Sequence, residues 1–154
     1  MKFKNPLLAV KDMERSKMFY REVLGLRVVS DFGANVTLTG GVALQTEESW
    51  LEFIGRPADY ACSSYSTELY FEEDDFDGFV KHLSKKEDVE YVHPPKEHRW
   101  GQRVVRFCDP DGHIIEVGEP MTAVAKRFAS SGMSAEEVAW RMDVPLSAAK
   151  KLLR

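Results

Sequence analysis

Glu116 is the residue that most plainly asks for a chemical use. It interrupts the apolar run "HIIEV" straight after Asp109-Pro110-Asp111-Gly112. Pro at the second position and Gly at the fourth suit a type I turn, so "RVVRF" and "HIIEV" are expected to pair as a hairpin. A strand's period of two then puts Ile114, Glu116 and Gly118 on one face, and His113, Ile115 and Val117 on the other. A carboxylate there can move a proton or hold a cation. In the plainer alternative it is exposed, or pairs with Arg103 or Arg106.

The most chemically mixed loop is "HPPKEHRWGQR", residues 93–103. Loops often supply ligand contacts, and Trp100 could cover a flat or aromatic molecule, with His98, Gln102 and Arg103 contributing polar contacts. The competing expectation is a surface loop stiffened by Pro94 and Pro95, and this is the expectation for His93. Trp50, Phe53 and Tyr60 can line a second wall, or serve as core or dimer contacts. His113 falls on the face opposite Glu116 and is expected to be structural. Cys62 and Cys108 lack a local partner that would activate a thiolate, and no phosphate-cradling glycine loop or G-x-S-x-G is present.

These residues sit in a recurring order of elements. "FKNPLLAV" reads as a strand, and "MERSKMFYREVLG" as a helix with apolar residues at helical spacing, closed by Gly25, which enters the left-handed conformation freely. "LRVVSDF", "NVTLTG" and "VALQT" follow as three strands. After a short helix around "EESWLEFIG", the order returns: "TELYFEE" a strand, "DDFDGFVKHLSKK" a helix, then "VEYVHP", "QRVVRF" and "HIIEVGE". Asp12 and Asp75 stand at matching strand-to-helix junctions, where an acidic side chain can cap a helix. The fold class is therefore α+β, with two tandem βαβββ units at about 1–60 and 61–120, each a curled mixed sheet with a helix on one face. Side by side they would enclose a cleft.

Composition bounds the rest. A chain of 154 residues fits one such body plus an appendage. The N-terminal apolar run is cut off by Lys11 and Asp12 and is not a secretory signal. No run approaches the ~20 residues of a membrane span, so no membrane partner is expected. Two cysteines without a C-x-x-C pair point to a reducing, cytoplasmic home. Residues 121–154 carry six Lys/Arg against three Asp/Glu, net +3, and since the chain is −4 the first 120 residues are −7. An acidic body argues against nucleic acid as the main partner.

"LLAVKDMERSKMFYREVLGLRVV" and "FCDPDGHIIEVGE" resemble the vicinal oxygen chelate superfamily, which includes glyoxalase I, ring-cleavage dioxygenases, and bleomycin- and fosfomycin-resistance proteins. The resemblance covers residues 1–119. It implies a lyase, isomerase or dioxygenase-type enzyme acting on a small oxygen-rich or aromatic molecule in the cleft, or alternatively a non-catalytic binding or antibiotic-resistance protein that sequesters one. It also implies a homodimer.

Metal enzymes of that superfamily hold a divalent ion with four cleft-facing side chains, and the matching positions here are Asn5, Gln45, Glu68 and Glu116. These offer only oxygen, where histidine is usual at one or more places. Such a set implies Mg²⁺, Mn²⁺ or Ca²⁺ rather than Zn²⁺, Ni²⁺ or Fe²⁺, and it is also compatible with no metal. Glu68 and Glu116 are then the candidate proton movers. Without a metal, two carboxylates facing one cleft would repel each other and raise the pKa of one. Asn5 and Gln45 can instead satisfy backbone groups near a strand end.

The tail, residues 121–154, lies beyond the resemblance. Ser134 and Glu137 form a capping box, Val138 and Met142 follow at helical spacing, and Pro145 opens a last helix carrying Leu146, Ala149, Leu152 and Leu153. Two short helices broken at "DVP" resemble a helix-turn-helix. The basic residues are few, however, and the amphipathic faces are expected to dock on the body or on a second subunit rather than to place the protein on DNA.

Overall fold

The computed structural model describes residues 4–53 and 68–154. Tyr60 and Cys62 lie outside the described residues. The elements run β1 (Leu7–Val10), α1 (Met13–Leu24), β2 (Val28–Asp31), β3 (Asn35–Leu38), β4 (Ala43–Thr46), α2 (Glu47–Phe53), β5 (Glu68–Glu72), α3 (Phe76–Leu83), β6 (Glu90–Glu97), β7 (Arg103–Cys108), β8 (Ile114–Gly118), α4 (Met121–Ser130), α5 (Ala135–Arg141) and α6 (Leu146–Leu152). The expected α+β class with two tandem βαβββ units is observed. The described residues form two four-stranded mixed sheets, ordered β1-β4-β3-β2 and β5-β8-β7-β6.

The chain forms two compact units: residues 4–53 with 108–113, and residues 68–107 with 114–154. In the first, β1 runs parallel to β4 with Leu8 opposite Leu44, and β3 runs antiparallel to β4 with Val36 opposite Leu44. Val10, Val36, Leu44 and the α1 residues Tyr20 and Val23 are buried and make its core. Each fully buried side chain of this size stabilises by about 2 kcal/mol relative to exposure. The Asp12 carboxylate caps α1 by accepting from Arg15 N at 3.0 Å, and Gly25 ends it in the left-handed conformation at φ 68.

The turn Asp109–His113 belongs to this first unit. Gly112 N donates to Asp109 O at 3.0 Å, the hydrogen bond that closes a four-residue turn. Tyr20, fully buried, donates its hydroxyl to Asp109 Oδ2 at 2.9 Å, and Ser16 Oγ and Lys11 N donate to Asp111.

In the second unit Asp75 caps α3 by accepting from Gly78 N. β5 runs parallel to β8 with Tyr70 opposite Glu116 and Glu72 opposite Gly118. Val105, Phe107, Ile115 and Val117 are buried, and Phe79 of α3 lies 6.2 Å from the Phe107 ring, so α3 covers this face of the sheet. The tail holds three helices where two were expected. α4 has Pro120 at its N-cap and no side-chain cap, so the usual starting signal is missing.

Candidate functional site

Period two on the strands of the second sheet places Glu68, Tyr70 and Glu72 of β5 beside Ile114, Glu116 and Gly118 of β8, all on the face opposite α3. Arg106 of β7 reaches the same face. Its Nε donates to Glu68 Oε2 at 2.7 Å, its Nη2 pairs with Glu116 Oε2, and its Nη1 lies 3.2 Å from His93 Nε2. Glu116 is 6% exposed. The structure therefore brings the two candidate glutamates to one point, with a guanidinium between them. Mutual repulsion of the carboxylates is offset by the charge they share.

A second polar group adjoins the first. Gln102, buried, donates from Nε2 to Tyr70 Oη at 2.9 Å and to Glu119 O at 2.8 Å, and its Oε1 accepts from Trp100 Nε1 at 3.2 Å. The Trp100 ring stacks on His98 with centroids 4.2 Å apart and planes at 14°. Burial, then the charges of Lys96, Arg106 and His93, hold the His98 pKa below its ordinary value and favour the neutral ring. Tyr70 is 48% exposed, and burial of the rest pushes its phenol up. A Cβ on Gly118 would lie 3.0 Å from Gln102 Nε2 and 3.2 Å from Val104, so glycine makes room for the amide.

Arg103, three residues before Arg106, falls on the other face because an odd separation on a strand reverses direction. It donates to Asp77 of α3 and to Glu119 Oε1 at 2.7 Å, with its guanidinium 5.2 Å from the Phe76 ring. The Glu119 hydrogen bond holds the guanidinium more firmly protonated than usual. For Glu119 burial works against the charge, but Arg103 and Arg127 outweigh it and hold the carboxyl below its ordinary range. Arg103 is thus a strut between sheet and helix.

The remaining candidates belong to the first unit. Asn5 is exposed and donates its Nδ2 to Pro6 O, before β1 begins. Gln45 is 4% exposed; its Oε1 accepts from Asn35 Nδ2 at 2.7 Å and its Nε2 donates to Ser49 Oγ of α2. Trp50 is half-buried on α2. Among the described residues, no three His, Cys, Asp or Glu side chains converge on one point. The donor chemistry agrees. Gln45 Oε1 already accepts from Asn35, and Glu68 and Glu116 face the Arg106 guanidinium, whose charge opposes a divalent ion, so as placed these side chains fit a metal poorly.

Tyr70 was missed by sequence reasoning, although its alternation with Glu68 and Glu72 was readable. Asp109 was also missed beyond its turn role. Its Oδ1 accepts from the backbone N–H groups of Asp111 and His113, while Oδ2 accepts from Tyr20 and lies 2.8 Å from His113 Nδ1. Burial opposes the charge on His113, but Asp109 and then Asp111 outweigh it and raise the imidazole pKa. Burial likewise opposes the charge on Asp109, and the bonds from His113 and Tyr20 bring its carboxyl below the ordinary value.

A family model described as a glyoxalase-like domain matches residues 3–122. Among solved structures, a protein of unknown function from Agrobacterium tumefaciens str. C58 is 43% identical, with 78% of this chain and 94% of that chain covered and a TM-score of 0.68. A glyoxalase-related enzyme from Fulvimarina pelagi is 21% identical over 79% of this chain and 91% of that one, with a TM-score of 0.65. A glyoxalase/bleomycin resistance protein/dioxygenase from Nocardioides is 23% identical over 77% and 83%, with a TM-score of 0.63. These last two show likeness of fold. No curated protein matches the chain.

Proposed function

The chain belongs to the glyoxalase-like domain family of the vicinal oxygen chelate superfamily, and on that premise we propose that it binds a small oxygen-rich or aromatic molecule on the face of the second sheet opposite α3. The observation that supports this reading is the Arg106 guanidinium held between Glu68 and Glu116. An arginine whose charge is fixed by two carboxylates is a rigid floor. Around it, the exposed ring of Tyr70 and the Trp100–His98 stack offer flat surfaces. The Tyr70 hydroxyl and the partly exposed Glu68 carboxylate offer hydrogen bonds to hydroxyl groups.

Binding is favoured over turnover on the same ground. A glutamate that serves as general base must be free to take a proton, whereas both glutamates here are paired with Arg106. A lyase, isomerase or dioxygenase-type reaction would require one of them to be released.

The test is a titration of a panel of phenols, catechols and hydroxy acids, followed by tryptophan fluorescence and by mass spectrometry of the recovered compounds. The reading predicts saturable binding that Trp100→Leu and Tyr70→Leu each weaken, with the compound recovered unchanged. Conversion of a bound compound to product, or binding indifferent to both substitutions, overturns it.

A further inference from the structure

The family match ends at residue 122, and α5 and α6 lie beyond it. Val124, Ala125 and Phe128 of α4, Val138, Ala139 and Met142 of the second helix and its cap, and Ala149 of α6 share one buried core, with Val144, Leu152 and Leu153 packed against it. The apolar faces of the tail pack chiefly on one another, and Phe128 also lies against Gly101 in the turn before β7. What α6 leaves to solvent is its other side.

That side is cationic. Ser147, Lys150 and Lys151 are all exposed and recur at i, i+3 and i+4 on one side of α6, with the exposed Arg154 two residues past its end, while Ala149 behind them is fully buried. The tail's other arginines are already neutralised against the sheet: Arg127 lies 3.1 Å from Glu119 and Arg141 lies 3.1 Å from Glu97. By contrast, Lys150 has Glu136 at 3.9 Å, with both side chains more than half exposed, and among the described residues Lys151 and Arg154 form no ion pair.

The connection between the helices is equally specific. α5 ends at Arg141 and α6 begins at Leu146. The reversal turns on Asp143, at φ 57 the one non-glycine residue with positive φ among the described residues. Arg99 donates to its carboxylate at 2.6 Å and fixes the turn from the sheet side. Two short helices on a shared core, joined by a short turn with a left-handed residue, have the connectivity of a helix-turn-helix.

We propose that α5 and α6 are a helix-turn-helix that docks on duplex DNA, with α6 entering the major groove. Lys150, Lys151 and Arg154 would donate to phosphate oxygens or guanine edges, and Ser147 to either a base or the backbone. An isolated helix face of this width matches the groove, which admits one α-helix. The charge distribution orients the encounter: residues 121–154 are net +3 and the rest of the chain −7, so a polyanion is drawn to the tail and repelled by the body. This inference is independent of the small-molecule reading.

The experiment uses the full chain and a fluorescein-labelled mixed-sequence duplex of about 24 base pairs, long enough for two turns of DNA. The proposal predicts an anisotropy rise that saturates at low salt. Three phosphate contacts imply a loss of affinity of about 40-fold between roughly 50 and 200 mM salt. Combined Lys150→Ala, Lys151→Ala and Arg154→Ala should weaken binding at least about tenfold with circular dichroism and thermal midpoint unchanged, since all three side chains are exposed. Ser147→Glu, which adds a carboxylate to the same stripe, should weaken it too. Absence of a shift at low salt, binding undiminished by both variants, or preference for single-stranded RNA over the duplex would each overturn the proposal.

Discussion

Arg106 Nε stands 2.7 Å from Glu68 Oε2, a bond across the second sheet between strands that are not neighbours, since β8 lies between β5 and β7. The guanidinium reaches over β8 and takes Glu116 on the way. A residue that ties three strands on one face fixes that face.

Removing one partner should therefore be costly and removing the charge pair much less so. Arg106→Met strands the nearly buried Glu116 carboxylate, and a loss of about 2 kcal/mol is expected, given that the arginine is itself partly exposed. That corresponds to a thermal midpoint lower by roughly 4–8 °C. Adding Glu116→Gln to Arg106→Met should recover most of the loss. Urea denaturation of the two single variants and the double variant reads the coupling directly.

The Asp109–His113 pair predicts an acid limit and an alkaline limit to stability. His113 has a raised pKa when folded, so it contributes stability that is complete below its ordinary value of 6.5 and is lost as pH rises through the folded value. Asp109 has a lowered pKa, so its contribution is present above the ordinary 3.8 and is lost as pH falls through the folded value. Thermal midpoints measured across both windows should be highest between them, and His113→Gln should flatten the alkaline side.

Gly101 is predicted to tolerate no side chain. Its φ is +88, and a Cβ there would meet Phe128 Cζ of α4 at 2.2 Å. Gly101→Ala combines a left-handed backbone with a ring clash, so a loss of about 2–3 kcal/mol is expected. Arg127 donates to Gly101 O and Arg141 to Arg99 O, so the 98–102 segment and the tail should loosen together. Hydrogen exchange in both segments should accelerate in the variant, and unchanged protection would count against this linkage.

His98 should titrate below 6.5, because burial leads and the neighbouring charges of Lys96, Arg106 and His93 add to it. Lys96→Glu replaces one of those cations with an anion and should move the midpoint upward. An NMR titration of the ring protons measures both.

Much of the fold could be read from the chain because its signals are local. Asp12, Gly25, Asp75 and the Asp109–Gly112 turn each act within a few residues, and each does so in the structure. The partners of Glu68 and Glu116 were less legible. The choice between Arg103 and Arg106 was decidable by strand parity, since residues three apart point to opposite faces. That the chosen arginine would bridge both glutamates required the strand order, which no local pattern encodes. Gln45 shows the same limit: alternation turns it inward, but Asn35 and Ser49 as its partners follow only from the register of β3 on β4 and the position of α2.

The claim that the two glutamates hold a guanidinium rather than a metal ion is tested most directly by titrating Mn²⁺ into protein purified in chelator, read by electron paramagnetic resonance. The account predicts no stoichiometric uptake at micromolar concentration. One equivalent of Mn²⁺ bound at that level, and lost in Glu116→Gln, would contradict it.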